Sequence, residues 1–239
     1  MVSACEVKGG MIMADNTPIN LRVKFKKVGN LQYISHLDLV RTMHKVIVRA
    51  KLPLWYTEGF NPKPKMIFAA PLSIGTESVC EYMDLRMNEY IDPNEAMARI
   101  NANMTHEMQI TEAYYPESKF TDLKWMSYRI TIRPAVFSDE LVERINAALN
   151  SDVIEVQKKN SEDRTNIRPL IKSAIVSGEG ESIVINATLS ADPSAFLNPE
   201  YIIKALRESC GILSAPDLTT ESYDIMREKA YFGDMTEFR

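Results

Sequence analysis

Two of the chain's three histidines, His36 and His44, fall in one run that also carries Arg41, Lys45 and Arg49. Imidazole is the side chain whose unperturbed pKa suits proton transfer near neutrality. Beside cations that hold phosphate, His36 as acid or base could act on a ribose 2′-hydroxyl, giving a metal-independent ribonuclease or other RNA-processing enzyme. A structural role competes with that chemistry. Ser35 and Asp38 have the spacing of a helix N-cap with an acid in the first turn, which places His36 beside the cap and leaves His44 packed or solvated further along.

The segment Gly59-Phe60-Asn61-Pro62-Lys63-Pro64-Lys65 points to binding rather than catalysis. Pro62 and Pro64 restrict the backbone, Gly59 permits a φ that other residues avoid, and Lys63 and Lys65 project two residues apart. A preorganised cationic loop loses little entropy on taking up an anion. Phe60 and Tyr56 add faces on which a nucleobase can stack. The same prolines would equally serve to pin two strands.

Other constellations carry less. Gly75, within Leu72-Ser73-Ile74-Gly75-Thr76-Glu77-Ser78, lacks the lysine and second glycine of a phosphate-binding loop and reads as a turn. Cys5, Cys80 and Cys210 lie far apart with no spacing for zinc or an iron–sulfur cluster, and no His-x-x-His pattern occurs. No metal and no cofactor is expected in this chain. No apolar run approaches the roughly 18 to 20 residues of a membrane-spanning helix, and no signal-type start is present, so a cytoplasmic protein without membrane contact is expected.

Charge is uneven along the sequence. Between Leu21 and Phe68 ten basic residues face two acidic ones, about +8, which leaves about −12 for the rest of a chain whose net charge is −4. Nucleic acid is a natural partner for the first part, because neutralised phosphates supply most non-specific binding energy. A later set, Lys158, Lys159, Arg164, Arg168 and Lys172, forms a second basic patch that would extend the same surface.

These residues must be positioned by regular elements. Residues 1–20, with Gly9-Gly10 and Pro18 and no apolar period, read as a flexible tail. Leu21 to Lys26 alternates as a strand, with Leu21, Val23 and Phe25 inward and Arg22, Lys24 and Lys26 outward. A helix runs from Ser35 to about Lys51, placing Arg41, Lys45 and Arg49 on one ridge, and Pro53 closes it. Short strands at 54–57 and 66–69, a strand at 81–87, a helix from Asp92-Pro93 to about Asn103 and a strand at 108–115 follow. The second half repeats this order: strand 128–133, helix 138–149, strands 153–157, 168–176 and 182–189, helix 199–209 and strand 219–226. The fold class is therefore α+β, two ferredoxin-like (βαββαβ-type) modules packed together, at 21–120 and 121–239.

Four motifs carry a resemblance: Leu21-Arg22-Val23-Lys24-Phe25, Tyr33-Ile34-Ser35-His36-Leu37-Asp38, the Gly59 to Lys65 segment, and Ala70-Pro71-Leu72-Ser73-Ile74-Gly75-Thr76-Glu77-Ser78. With Ile167-Arg168-Pro169-Leu170 and Asn198-Pro199-Glu200, they make nearly all of the chain after residue 20 resemble a bacterial family of radical-SAM-linked proteins, a domain of unknown function found alone or fused to a radical-SAM enzyme. The resemblance implies a partner enzyme that carries an iron–sulfur cluster and S-adenosylmethionine, since this chain has no three-cysteine motif for the cluster. The combined expectation is an RNA-binding accessory that presents tRNA or rRNA to that partner. Arg22, Lys24, Lys26, Arg41, Lys45, Arg49, Lys63 and Lys65 would then contact phosphate. A scaffold that binds only protein, with the basic face docked on an acidic partner, is a further alternative.

Overall fold

Strand β1 (Ile19–Lys27) alternates as expected, with Leu21, Val23 and Phe25 wholly buried. The computed structural model describes residues 18–157, 163–214 and 219–239. The first strand starts inside the stretch read as a tail: Ile19 and Asn20 already pair with Met87 and Arg86. Residues 1–17 lie outside the described residues.

Helix α1 (His36–Arg49) begins where Ser35 Oγ accepts the Asp38 backbone N–H, and Leu39, Met43, Val46 and Ile47 form its buried stripe. It stops before the expected Lys51. Lys51 adopts a left-handed φ of 53°, so the chain has already turned before Pro53 is reached. The strand expected at 54–57 reduces to isolated bridges, Leu54 to Met87 and Tyr56 to Pro64. Pro53, Pro62 and Pro64 bring no N–H to a ladder there.

The first half continues through β2 (Met66–Phe68), β3 (Thr76–Met87), α2 (Pro93–Asn101) and β4 (Ile110–Tyr114). The second half comprises β5 (Trp125–Arg133), α3 (Asp139–Leu149), β6 (Glu155–Gln157), β7 (Arg164–Asn166), β8 (Ile171–Glu179), β9 (Ser182–Ser190), α4 (Glu200–Cys210) and β10 (Ser222–Tyr231). Strand β7 was not expected, because Arg-Thr-Asn carries no apolar alternation. It pairs only with β6, apart from the main sheet.

The described residues thus form a mixed α/β chain with four helices and a large sheet of order β4-β1-β3-β10-β5-β9-β8, with β2 on β3. Strands β3 and β10 pair in parallel, Arg227 opposite Ser78, and join the halves into one sheet. Because β1 takes one edge of β3, strands β2 and β10 share the other, and residues 69–75 cross between them. One apolar core gathers β1, β3, α1 and α2 around Phe25, Met43 and Ile100. The other gathers β5, β9, β10, α3 and α4 around Ile130, Ile145 and Leu206.

Candidate functional site

The sheet cations are not the open positive face that the sequence led us to expect. Arg22 is buried: its Nε donates to Asp84 Oδ1 at 2.7 Å, Nη2 to Asp84 Oδ2 at 2.9 Å and Nη1 to Ser118 Oγ at 2.7 Å. Its guanidinium lies 4.2 Å from the Phe120 ring centroid and 5.0 Å from that of Phe238. The bidentate carboxylate comes from Asp84, directly opposite on β3, and the returning chain around Ser118–Phe120 and Phe238 covers the outer face of β1 with a hydroxyl and aromatic surfaces. Lys24 Nζ bonds Glu112 at 2.9 Å and Glu237 at 3.3 Å. Burial pulls its pKa down, but the hydrogen bonds and charges of these acids outweigh burial and leave it raised. Lys26 is half-buried. Alternation gives the face a residue takes, not what later chain will lie on it.

The helix and loop cations behave differently. Arg41, Lys45 and Arg49 are exposed along one ridge of α1, and Lys63 and Lys65 are exposed on the following loop. Arg41 pairs loosely with Asp38 at 3.3 Å, whereas Lys45, Arg49, Lys63 and Lys65 form no ion pair among the described residues. The two groups meet because His44 Nε2 lies 3.3 Å from Pro64 O, a contact in which a protonated Nε2 donates to the carbonyl. His44 therefore ties the loop to the helix.

The loop is an ordered hairpin. Thr57 N–H donates to Lys63 O at 2.8 Å, Lys63 N–H to Thr57 Oγ1 at 3.0 Å and Lys65 N–H to Trp55 O at 2.9 Å. Gly59 uses the freedom expected of it, with φ at 117°. Phe60 at the tip is fully exposed, and Asn61 and Pro62 beside it are exposed.

Among the described residues, the nearest ring to His36 is apolar. The exposed imidazole sits edge-on to Phe68, centroids 5.4 Å apart, while Ser35 and Asp38 spend their polar atoms on each other and on the helix start. The Ser35 hydrogen bond, and then Arg41, hold the Asp38 carboxyl below its ordinary pKa. Gly75 sits in a turn with φ at 82°, its N–H donating to Gln32 O at 3.0 Å. A cleft of about 580 Å³ opens elsewhere, beside Tyr114, Tyr115, Glu117 and Arg239. Among the described residues no three His, Cys, Asp or Glu side chains are grouped as a metal site, and no helix is long and apolar enough to cross a membrane.

The second basic patch is largely committed internally. Arg164 bonds Glu208 at 2.7 Å, Arg168 Nη1 donates to Ile171 O at 2.7 Å, and Lys172 Nζ lies 5.0 Å from the Trp125 ring centroid. Lys158 and Lys159 lie outside the described residues.

A polar cluster at the β3–β10 seam was not anticipated. Arg227 is buried and donates from Nη1 to Glu81 at 2.8 Å, from Nε to Tyr128 Oη at 3.1 Å and from Nη2 to Pro71 O at 2.8 Å. Burial works against its charge, but Glu81 and Tyr128 more than compensate, and its pKa is raised. Lys27 is buried nearby, and the same loss of water lowers its pKa. Asn198 Nδ2 reaches Ser73 Oγ at 2.9 Å, so Ala70-to-Ser78 and Asn198-Pro199-Glu200 meet at this seam. The available signal was a charged residue inside an apolar alternation: Arg227 follows the buried Ile225, one position beyond the expected end of the last strand.

The sequence of residues 20–199 matches the family described as "Uncharacterized protein conserved in bacteria (DUF2344)". The chain belongs to this family. The family's description names its bacterial spread and no partner. Among curated proteins, nothing matches. A solved structure described as "Crystal Structure of an Unknown Protein from Galdieria sulphuraria" is similar at 11% identity over 88% of this chain and 99% of that one. Its TM-score of 0.25 carries no argument about fold or function.

Proposed function

We propose that this member of the bacterial family is a cytoplasmic, non-catalytic RNA-binding accessory that presents a tRNA or rRNA segment to a separate radical-SAM modifying enzyme. The observation that carries the reading is the 3.3 Å approach of His44 Nε2 to Pro64 O, which seats the hairpin of Lys63 and Lys65 against the helix of Arg41, Lys45 and Arg49. From Arg41 to Lys65 six basic residues accompany one acid, Glu58, in a chain that is otherwise strongly acidic. Cations without an acidic partner among the described residues can neutralise phosphates, and the nucleic acid then releases its condensed counterions. The iron–sulfur cluster and S-adenosylmethionine belong, in this reading, to the partner.

The strand orders support two ferredoxin-like halves. Both β4-β1-β3 with β2 on its flank and β10-β5-β9-β8 follow the arrangement of a split β-α-β pair. Fluorescence anisotropy with labelled tRNA and rRNA fragments at rising salt tests the binding. With about five phosphate contacts, affinity falls about tenfold for each doubling of salt. Absent or salt-insensitive binding rejects the reading. Copurification of a radical-SAM enzyme that survives nuclease treatment would instead favour a scaffold that binds protein directly.

A further inference from the structure

Resting on that reading of the α1 and hairpin surface, we propose that its substrate class is single-stranded RNA: one unpaired base stacks on Phe60 while Lys63 and Lys65 hold the neighbouring phosphates. A lone exposed apolar side chain is ordinary on a protein surface. Phe60 is set apart by its surroundings. It stands clear of the other described residues at the tip of a hairpin whose legs are fixed by hydrogen bonds at Thr57, Lys63 and Lys65. Both ring faces are open, and Tyr56, 42% exposed, lies at the base of the same hairpin.

The chemistry of the surroundings selects the partner. Lys63 and Lys65 flank Pro64, which bridges to Tyr56 in extended pairing, so the two side chains leave the same side of the strand from backbone positions about 6.6 Å apart. That arrangement follows a backbone of repeated phosphates. Pro62 and Pro64 have no N–H to offer an added strand, which disfavours a protein partner docking by edge pairing. A base already stacked inside a duplex presents no face to Phe60, whereas an unpaired or extruded base presents two. Pre-ordering of the hairpin keeps the cost of binding low.

The test uses the whole chain and two probes, a short labelled oligoadenylate strand and an RNA duplex of similar length, with anisotropy as the readout. For the wild type, the single strand binds more tightly than the duplex. Phe60→Ala weakens the single strand about tenfold and leaves the duplex unchanged, and Phe60→Trp restores the single-strand affinity. If Phe60→Ala changes neither probe, or both equally, the stacking inference is overturned while phosphate binding by this surface stands. If the wild type binds neither probe, the RNA reading itself falls. Circular dichroism of the Phe60 variants matches the wild type in the expected case, since the ring supports no packing.

Discussion

Arg227 Nη1 donates to Glu81 Oε1 at 2.8 Å, with side chains 2% and 4% exposed, across the parallel junction of β10 with β3. The pair joins the strand that closes the second half to the central strand of the first. Tyr128 Oη accepts from Nε and Pro71 O from Nη2, so each of the three guanidinium nitrogens donates a hydrogen bond.

Breaking that pair from one side is expected to be costly. Arg227→Met leaves the buried Glu81 carboxylate without its hydrogen-bonded partner and lowers stability by about 3–5 kcal/mol, read as the shift in urea midpoint. The double replacement Glu81→Leu with Arg227→Met removes both charges and recovers most of the loss. A single variant that loses less than about 1 kcal/mol would show that the seam tolerates an unpaired acid and that the pair does not hold the halves together.

Alkaline pH is expected to destabilise the fold. The Cys80 thiol is pushed up to about 12, first by burial and then by the adjacent Glu81 carboxylate. The Tyr223 phenol is pushed up to about 12, by burial and then by its hydrogen bond to Glu200. Tyr82 and Tyr128 are raised as well, burial being the main cause. In the unfolded chain the thiol ionises at about 8.5 and the phenols at about 10. The native state thus keeps protons that the unfolded state releases. Their contribution is whole below about pH 8.5 and falls away as pH rises toward the folded values. The urea midpoint should decline between about pH 9 and about 11, less steeply in Cys80→Ala. A decline of identical slope in that variant would exclude the thiol as a contributor.

The sequence made most of the framework legible because apolar period and caps are local signals. Ser35, Asp92 and Ser138 cap α1, α2 and α3 where their spacing placed them, and Gly211 ends α4 in the left-handed conformation. What escaped was set by distant chain. Arg22 reads as an outward cation until Asp84 and Ser118, 62 and 96 residues away, close over it. Arg227 and Glu81 are 146 residues apart and share nothing that local pattern records. The helix-and-loop part of the site was legible because both cation groups project from local elements. That one histidine ties them together was not, because a side chain reaching a carbonyl 20 residues on leaves no period.

Gly59→Ala separates hairpin shape from charge. A Cβ at this position meets no atom within 4 Å, so the cost is confined to a φ of 117° that an L side chain resists. The tip should rearrange at a cost of about 1 kcal/mol. Melting temperature then stays near wild type, while affinity for single-stranded RNA falls because Phe60 is displaced. Wild-type affinity in the variant would mean that the tip conformation is irrelevant to binding.

The contrast between Lys24 and Lys45 tests which cations face the partner. Both lie in the basic first half, yet Lys24 is held by Glu112 and Glu237, whereas Lys45 stands exposed on α1 with no acidic partner among the described residues. Neutralising a lysine that contacts phosphate weakens binding across sequences and reduces the salt slope by about one contact. Lys45→Gln, Lys63→Gln and Lys65→Gln should each do so. Lys24→Gln should leave the RNA salt slope unchanged and instead lower stability modestly, by about 1 kcal/mol or less, as its half-exposed acids are released. The opposite pattern, a slope lost with Lys24 and kept with Lys45, would move the binding surface from the helix and hairpin to the sheet edge at β1 and β4. The C-terminal chain around Glu237 would then have to leave β1 before any phosphate could reach Lys24, because its carboxylate already lies 3.3 Å from the ammonium.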